Sequence, residues 1–183
     1  TGRSSSGSVL TLDLNYVPTQ NLRISSEFGV STSNSTVDPV FDPTGTDFGG
    51  FIEGDYRKKD FSLRAKAFSY GPNFYSPGAY NLIDKRGVEL NSNWKVGNVN
   101  LSGGLTKYDS NLDNYFEGGR ASVLDYQLYA SGAIDKNSTI RAGMRSQGAS
   151  NSLYYDRDTT FDITINRRLS DKANLVMNYA KNI

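Results

Sequence analysis

A hydrophobic period of two residues runs through almost the whole of this chain, and no other feature restricts its fold as much. In SVLTLDLNYVPTQNLRISSEFGVS, residues 8–31, Leu10, Leu12, Leu14 and Tyr16 alternate with Thr11, Asp13 and Asn15. After Pro18-Thr19-Gln20, Leu22, Ile24, Phe28 and Val30 alternate with Arg23, Ser25 and Glu27. Side chains of an extended backbone point alternately to opposite faces, so the pattern requires strands with one apolar and one polar face. It predicts ten strands, over about residues 8–17, 21–31, 48–57, 60–70, 87–96, 99–108, 122–134, 139–147, 159–169 and 174–182.

The connections between these strands alternate in length. Residues 17–20, 57–60, 97–98, 135–138 and 170–173 are short and rich in turn formers. Residues 32–47, 71–86, 109–121 and 148–158 are long and carry Pro, Gly, Asn, Asp and several aromatics. One edge of the sheet therefore collects tight turns and the other long loops.

Sorting by parity separates the side chains almost completely. One face holds Leu10, Leu12, Ile24, Phe48, Ile52, Leu63, Val88, Leu90, Leu101, Leu128, Ile163, Met177 and their like. The other holds Asp13, Arg23, Glu27, Glu53, Asp55, Arg64, Lys66, Glu89, Lys95, Asp125, Arg141, Arg145, Asp162 and Arg168. Lys107, Arg167 and Lys181 are the charges at apolar parity, all close to a strand end, where a long side chain can reach an interface.

Composition narrows the chemistry. The 183 residues include no Cys and no His, which removes disulfides, thiolate nucleophiles, tetrahedral zinc sites and Ser-His or Cys-His relays. No Gly-x-x-x-x-Gly-Lys phosphate cradle occurs, and the carboxylates Glu53 and Asp55 lack the environment a catalytic pair needs. The expectation is a non-enzyme without cofactors or a bound metal. With 20 basic and 19 acidic residues interspersed, no nucleic-acid partner is expected. No apolar run approaches the roughly 18 residues of a membrane helix, and the polar opening TGRSSSGS is not a signal peptide, so the segment reads as mature or excised, one domain over residues 1–183.

Alternation alone does not say which solvent each face meets, because a water-soluble barrel or sandwich also has one apolar and one polar face. Three asymmetries favour lipid on the apolar side. Each strand matches the roughly 9 to 11 residues of a tilted bilayer-crossing strand. Long and short connections segregate to opposite edges, and Tyr16, Tyr56, Phe61 and Trp94 sit at apolar parity beside the short turns, as an aromatic girdle would. In this pattern the chain resembles the bacterial outer-membrane β-barrel superfamily, over nearly its whole length and with no narrower family assigned. The resemblance implies an all-β, antiparallel up-and-down transmembrane β-barrel in the bacterial outer membrane, contacting its lipid and most often serving transport.

On that resemblance Arg23, Glu27, Glu53, Arg64, Lys66, Glu89, Asp125, Arg141, Arg145 and Asp162 are pore-lining, in a lumen that conducts hydrophilic solutes. The alternatives are a scaffold or secretion barrel that encloses a protein partner in its lumen or at its loops, and a soluble β-barrel or sandwich for binding or adhesion. Both ends of the ten-strand pattern fall on the long-loop side and the chain closes on NYAKNI, whereas the class usually keeps both termini on the short-turn side and commonly finishes on an aromatic. The expectation is a section of a larger barrel, with a closed ten-stranded barrel as the alternative.

Three further expectations are specific. Counting back from a turn at 57–60 puts Glu53 opposite Arg64 and Asp55 opposite Ser62, so Glu53 and Arg64 should form a cross-strand ion pair. Asp109, Asn111 and Asp113 have the spacing of a calcium loop, but Asn114 and Arg120 stand where Gly and Glu belong, and a solvated turn is favoured there as for Asp38, Asp42 and Asp47. The loop rings Phe41, Phe74, Tyr75, Tyr80, Tyr115, Phe116, Tyr154 and Tyr155 are either ligand contacts or rings folded inward against one another.

Overall fold

The computed structural model describes residues 5–35, 45–74, 84–113 and 118–183. All ten expected strands form: β1 (Ser5–Thr19), β2 (Leu22–Ser35), β3 (Gly45–Lys58), β4 (Phe61–Tyr70), β5 (Lys85–Val96), β6 (Val99–Ser110), β7 (Ala121–Asp135), β8 (Ser138–Ser150), β9 (Tyr155–Ser170) and β10 (Ala173–Asn182). They make one antiparallel sheet in which every strand lies beside its neighbour in sequence. Such an up-and-down meander needs only local hairpins, and the chain supplies a turn signal between each pair of periodic segments.

The turns are tighter than the sequence suggests. Strands run on until two residues remain, as at Lys59-Asp60 between the paired Lys58 and Phe61. Gly97-Asn98 joins Val96 to its partner Val99, with Gly97 at φ 61°, a conformation that costs a non-glycine residue about 1 to 2 kcal/mol. In β1 the register slips between Tyr16 and Thr19, at Pro18, which has no N–H to give to the ladder.

The tight turn after β3 corrects the expected register. Asp55, not Glu53, faces Arg64; Glu53 faces Lys66, and Ser62 faces Arg57. A shift of two residues leaves every side chain on its expected face, whereas a shift of one would have inverted the strand. The anticipated ion pair survives on the diagonal, with Arg64 Nε 3.6 Å from Glu53.

The expected closure into a barrel is not present. Among the described residues β1 pairs only with β2 and β10 only with β9, so the sheet is an open ten-stranded layer. Alternation fixes what each strand shows on its two faces but says nothing about the partner of the first and last strands.

No second layer packs on the aliphatic face among the described residues. Leu12 is 72% exposed, Leu90 41% and Ile163 41%, in a surface that continues through Phe28, Phe48, Ile52, Leu128 and Tyr179. The ionic groups opposite are often less exposed, the Asp55 side chain at 16% and Glu53 at 23%. Among the described residues the buried large hydrophobic side chains are Tyr70 (6%) and Phe74 (3%), both on the ionic side. No described helix is long and apolar enough to cross a membrane, which says nothing about crossing with strands.

Candidate functional site

The ionic face is organised in rows that follow from register. One row crosses the sheet as Glu53, Lys66, Glu89, Thr106, Asp125 and Gln147 on β3 to β8. The next, one step toward the short turns, runs Arg23, Asp55, Arg64, Asn91, Gly104, Gln127 and Arg145. The first row carries the carboxylates Glu53, Glu89 and Asp125 with Lys66, and the second the guanidinium groups Arg23, Arg64 and Arg145 with Asp55, so both rows mix the two signs.

Where the rows meet on β3 and β4 they form an ion network. Asp55 accepts two bonds from Arg57, at 2.9 and 2.7 Å, and a third from Arg64 at 3.3 Å, while Arg64 also approaches Glu53. Elsewhere the cations take other partners. Arg23 donates to Asn15 Oδ1 at 2.9 Å and Arg145 to Gln147 Oε1 at 3.3 Å. Lys66 Nζ stands 4.6 Å from the centre of the Phe51 ring, and the Arg141 guanidinium 4.1 Å from that of Tyr129.

Glycines let these rings lie flat. A Cβ on Gly143 would overlap the Tyr129 ring, and one on Gly49 would come 2.6 Å from Tyr70 and 2.9 Å from Phe74. Glycine inside a strand marks such close approaches, and this was the sequence signal that parity sorting passed over. It missed Phe51, Phe68, Tyr70, Tyr108 and Tyr129, which share the ionic face with the charges.

Toward the long loops the face is covered. Phe74 turns inward onto Gly29 and Gly49, its ring 5.6 Å from that of Tyr70. Asp47 fixes this approach by accepting from Asn73 N at 2.8 Å and Phe48 N at 2.7 Å. Asp84, at φ 54°, accepts from Leu112 N at 2.7 Å and so ties the segment before β5 to the one after β6. Burial pushes the Asp84 carboxyl above its ordinary range; the Leu112 N–H opposes this, and the charges of Asp113 and Asp47 add to it.

The expected site residues separate accordingly. Arg23, Glu27, Glu53, Arg64, Lys66, Glu89, Asp125, Arg141, Arg145 and Asp162 all take the ionic face, and Glu53 and Arg64 meet directly. Tyr56, Phe61 and Trp94 form a patch beside the short turns, with Tyr56 and Phe61 rings 6.1 Å apart and Phe61 paired with Trp94; Tyr16 stands on β1, away from that patch. Of the loop rings, Phe74 is buried, while Tyr154 and Tyr155 are exposed. Phe41, Tyr75, Tyr80, Tyr115 and Phe116 lie outside the described residues, as do Asp38, Asp42 and Asn114.

The calcium-like spacing has other occupations. Asp109 stands 3.8 Å from Arg86, and Asn111 donates to Gly119 O at 2.7 Å. Among the described residues no group of three or more metal-ligating side chains converges. Comparison with protein-family models, curated proteins and solved structures finds no match to this chain.

Proposed function

We propose that this chain is wall of a bacterial outer-membrane β-barrel whose ionic face lines a lumen for hydrophilic solutes. The observation that carries the reading is the inverted exposure of the sheet. Large apolar side chains from β1 to β10 are exposed with no described residue packed over them, while the carboxylates Glu53 and Asp55 opposite are largely covered and ion-paired. Exposed apolar patches on water-soluble monomers rarely exceed about 300 to 600 Å². A surface running from Leu10 on β1 to Tyr179 on β10 needs an apolar medium, and hydrocarbon meets that need for a single-layered sheet.

Two further features support the same orientation. The patch of Tyr56, Phe61 and Trp94 beside the short turns suits a headgroup boundary, and strands of 10 to 16 residues suffice to cross a band roughly 25 Å tall when tilted. Crowding on the ionic face is what a sheet curling toward that face would produce. Closure would come from pairing the free sides of β1 and β10, with each other or with further strands. Transport would be passive, with no catalytic group and no cofactor, and charge selection set by the two rows.

The enclosing of a protein partner is the second reading, and Phe51 and Phe68 favour it, being apolar rings on the face that would otherwise meet only water. Brominated-lipid quenching of Trp94, the single tryptophan, tests the membrane reading on a refolded sample. Strong quenching supports it; a chain soluble without detergent and with Trp94 unquenched overturns it. Conductance in planar bilayers then separates the open conduit from the occupied barrel.

A further inference from the structure

The aliphatic face carries charge at its loop end, where the strands run further than their periodicity led one to expect. β9 begins at Tyr155, so Arg157 stands at the parity of Phe161 and Ile163, on the aliphatic side. Lys107 on β6 shares the parity of Leu105. The ladder joins the two cations along one row, pairing Lys107 with Leu124, Leu124 with Gly148 and Gly148 with Arg157. A Cβ on Gly148 would stand 3.3 Å from Arg157 Nε and 3.5 Å from Arg157 Cβ, so this side chain lies back across β8 toward Leu124. Adjacent strands are about 4.8 Å apart, which sets Lys107 and Gly148 roughly 10 Å from each other with Leu124 between them.

The groups around this pair are donors. One step toward the loops the ladder places Ser122 and Ser150 on the same face, and the carboxylate of that row, Asp109, is held by Arg86 at 3.8 Å. Among the described residues no ion pair involves Lys107 or Arg157. Toward the turns the face continues through Leu105, Tyr126, Leu128 and Met144, and the hydroxyls of Ser146 and Thr159 satisfy each other there at 2.9 Å. Two cations without counter-ions at the border of an apolar surface are costly, and an anion that reaches both relieves them. A phosphate presents oxygens on several sides: it can take from Lys107 on one flank, Arg157 on the other and a serine hydroxyl from the loop side. An acyl chain attached to it would fall on Leu105 and Leu128.

We propose that Lys107 and Arg157 clamp the phosphate of a membrane lipid on the outer wall of the sheet, with the lipid's acyl chains on the aliphatic band toward the turns. The proposal rests on the membrane reading of the aliphatic face and is independent of what the lumen conducts. The test uses the full chain refolded in phosphatidylcholine liposomes. Spin-labelled phosphatidic acid and phosphatidylcholine are compared by electron paramagnetic resonance, which separates lipid immobilised at the protein from free lipid. Phosphatidic acid is expected to be preferred, by about fivefold for each cation. Lys107→Gln and Arg157→Gln should each lower the preference by about that factor. Lys181→Gln and Arg167→Gln, which remove the same charge elsewhere on the aliphatic face, should leave it unchanged. Excess inorganic phosphate should not displace the lipid.

Absence of preference in the native chain overturns the clamp. So does a preference that survives both Lys107→Gln and Arg157→Gln, falls equally in Lys181→Gln and Arg167→Gln, or is abolished by inorganic phosphate. The two readings fail by different signs: immobilised lipid without preference removes the clamp alone, whereas no immobilised lipid of either kind overturns the membrane reading and the clamp with it.

Discussion

The two ends of this sheet obey the same alternation and are built differently. At the loop end, side chains bridge distant backbone: Asp47 holds Asn73, Asp84 holds Leu112, and Phe74 and Tyr70 are buried against Gly29 and Gly49. At the turn end, two-residue hairpins close each pair and the rings of Tyr56, Phe61 and Trp94 stand at the surface of the aliphatic face. The loop end gains order by turning aromatics onto the ionic face; the turn end gains it from the ladder itself. Coverage of the ionic face at the loop end and its openness at the turn end follow from where the rings point.

The largest test of this contrast is Phe74→Ala, expected to cost about 3 to 5 kcal/mol, the range for buried phenylalanine. Hydrogen exchange should show lost protection at the loop end, at Gly71 and Leu112, with the turn-end amides unchanged. Protection lost equally at both ends would mean the sheet acts as one unit. Between the ends, Ile163→Arg on the aliphatic band should cost about 2 to 4 kcal/mol of insertion if the band meets the bilayer midplane, as measured by denaturant titration in liposomes. A neutral effect would place that face in water.

At the turn end, Gly97→Ala should cost about 1 kcal/mol, since φ 61° is unfavourable for alanine. Arg64→Ala, in a half-exposed ion network, should cost at most ~1 kcal/mol while changing ion selectivity in a conducting barrel.

The smallest effect is a pH dependence confined to the loop end. Folding raises the Asp84 pKa, so the folded loop holds this proton at a higher pH than the unfolded chain does. The stability tied to Asp84 is complete below the ordinary aspartate range and declines as pH rises through the raised value. Asp84→Asn keeps a carbonyl for Leu112 N and tolerates φ 54°, and it should flatten the pH dependence of Leu112 exchange; an unchanged profile would assign it elsewhere.

Much of this was legible in the chain. The ten strands, the long and short edges and the face of each charged residue follow from period two and turn chemistry. The register of β3 and β4 was read two residues out because the Arg57-Lys58-Lys59-Asp60 segment admits either a four- or a two-residue turn, and only pairing with β4 chooses. The inward turn of Phe74 was one of two expectations for the loop rings. Its deciding partners, Gly29 and Gly49, are distant in sequence and look like ordinary weak strand positions until a ring is laid on them.

The sequence by itself determined which side chains share a face, because backbone geometry forces neighbours apart at every step and no distant contact can undo that. Tertiary structure alone decided the Asp55–Arg64 pairing, the lie of Arg157 across Gly148 and the unpaired outer sides of β1 and β10 among the described residues. Each of these depends on how one strand is set against another, which alternation along a single strand leaves undetermined.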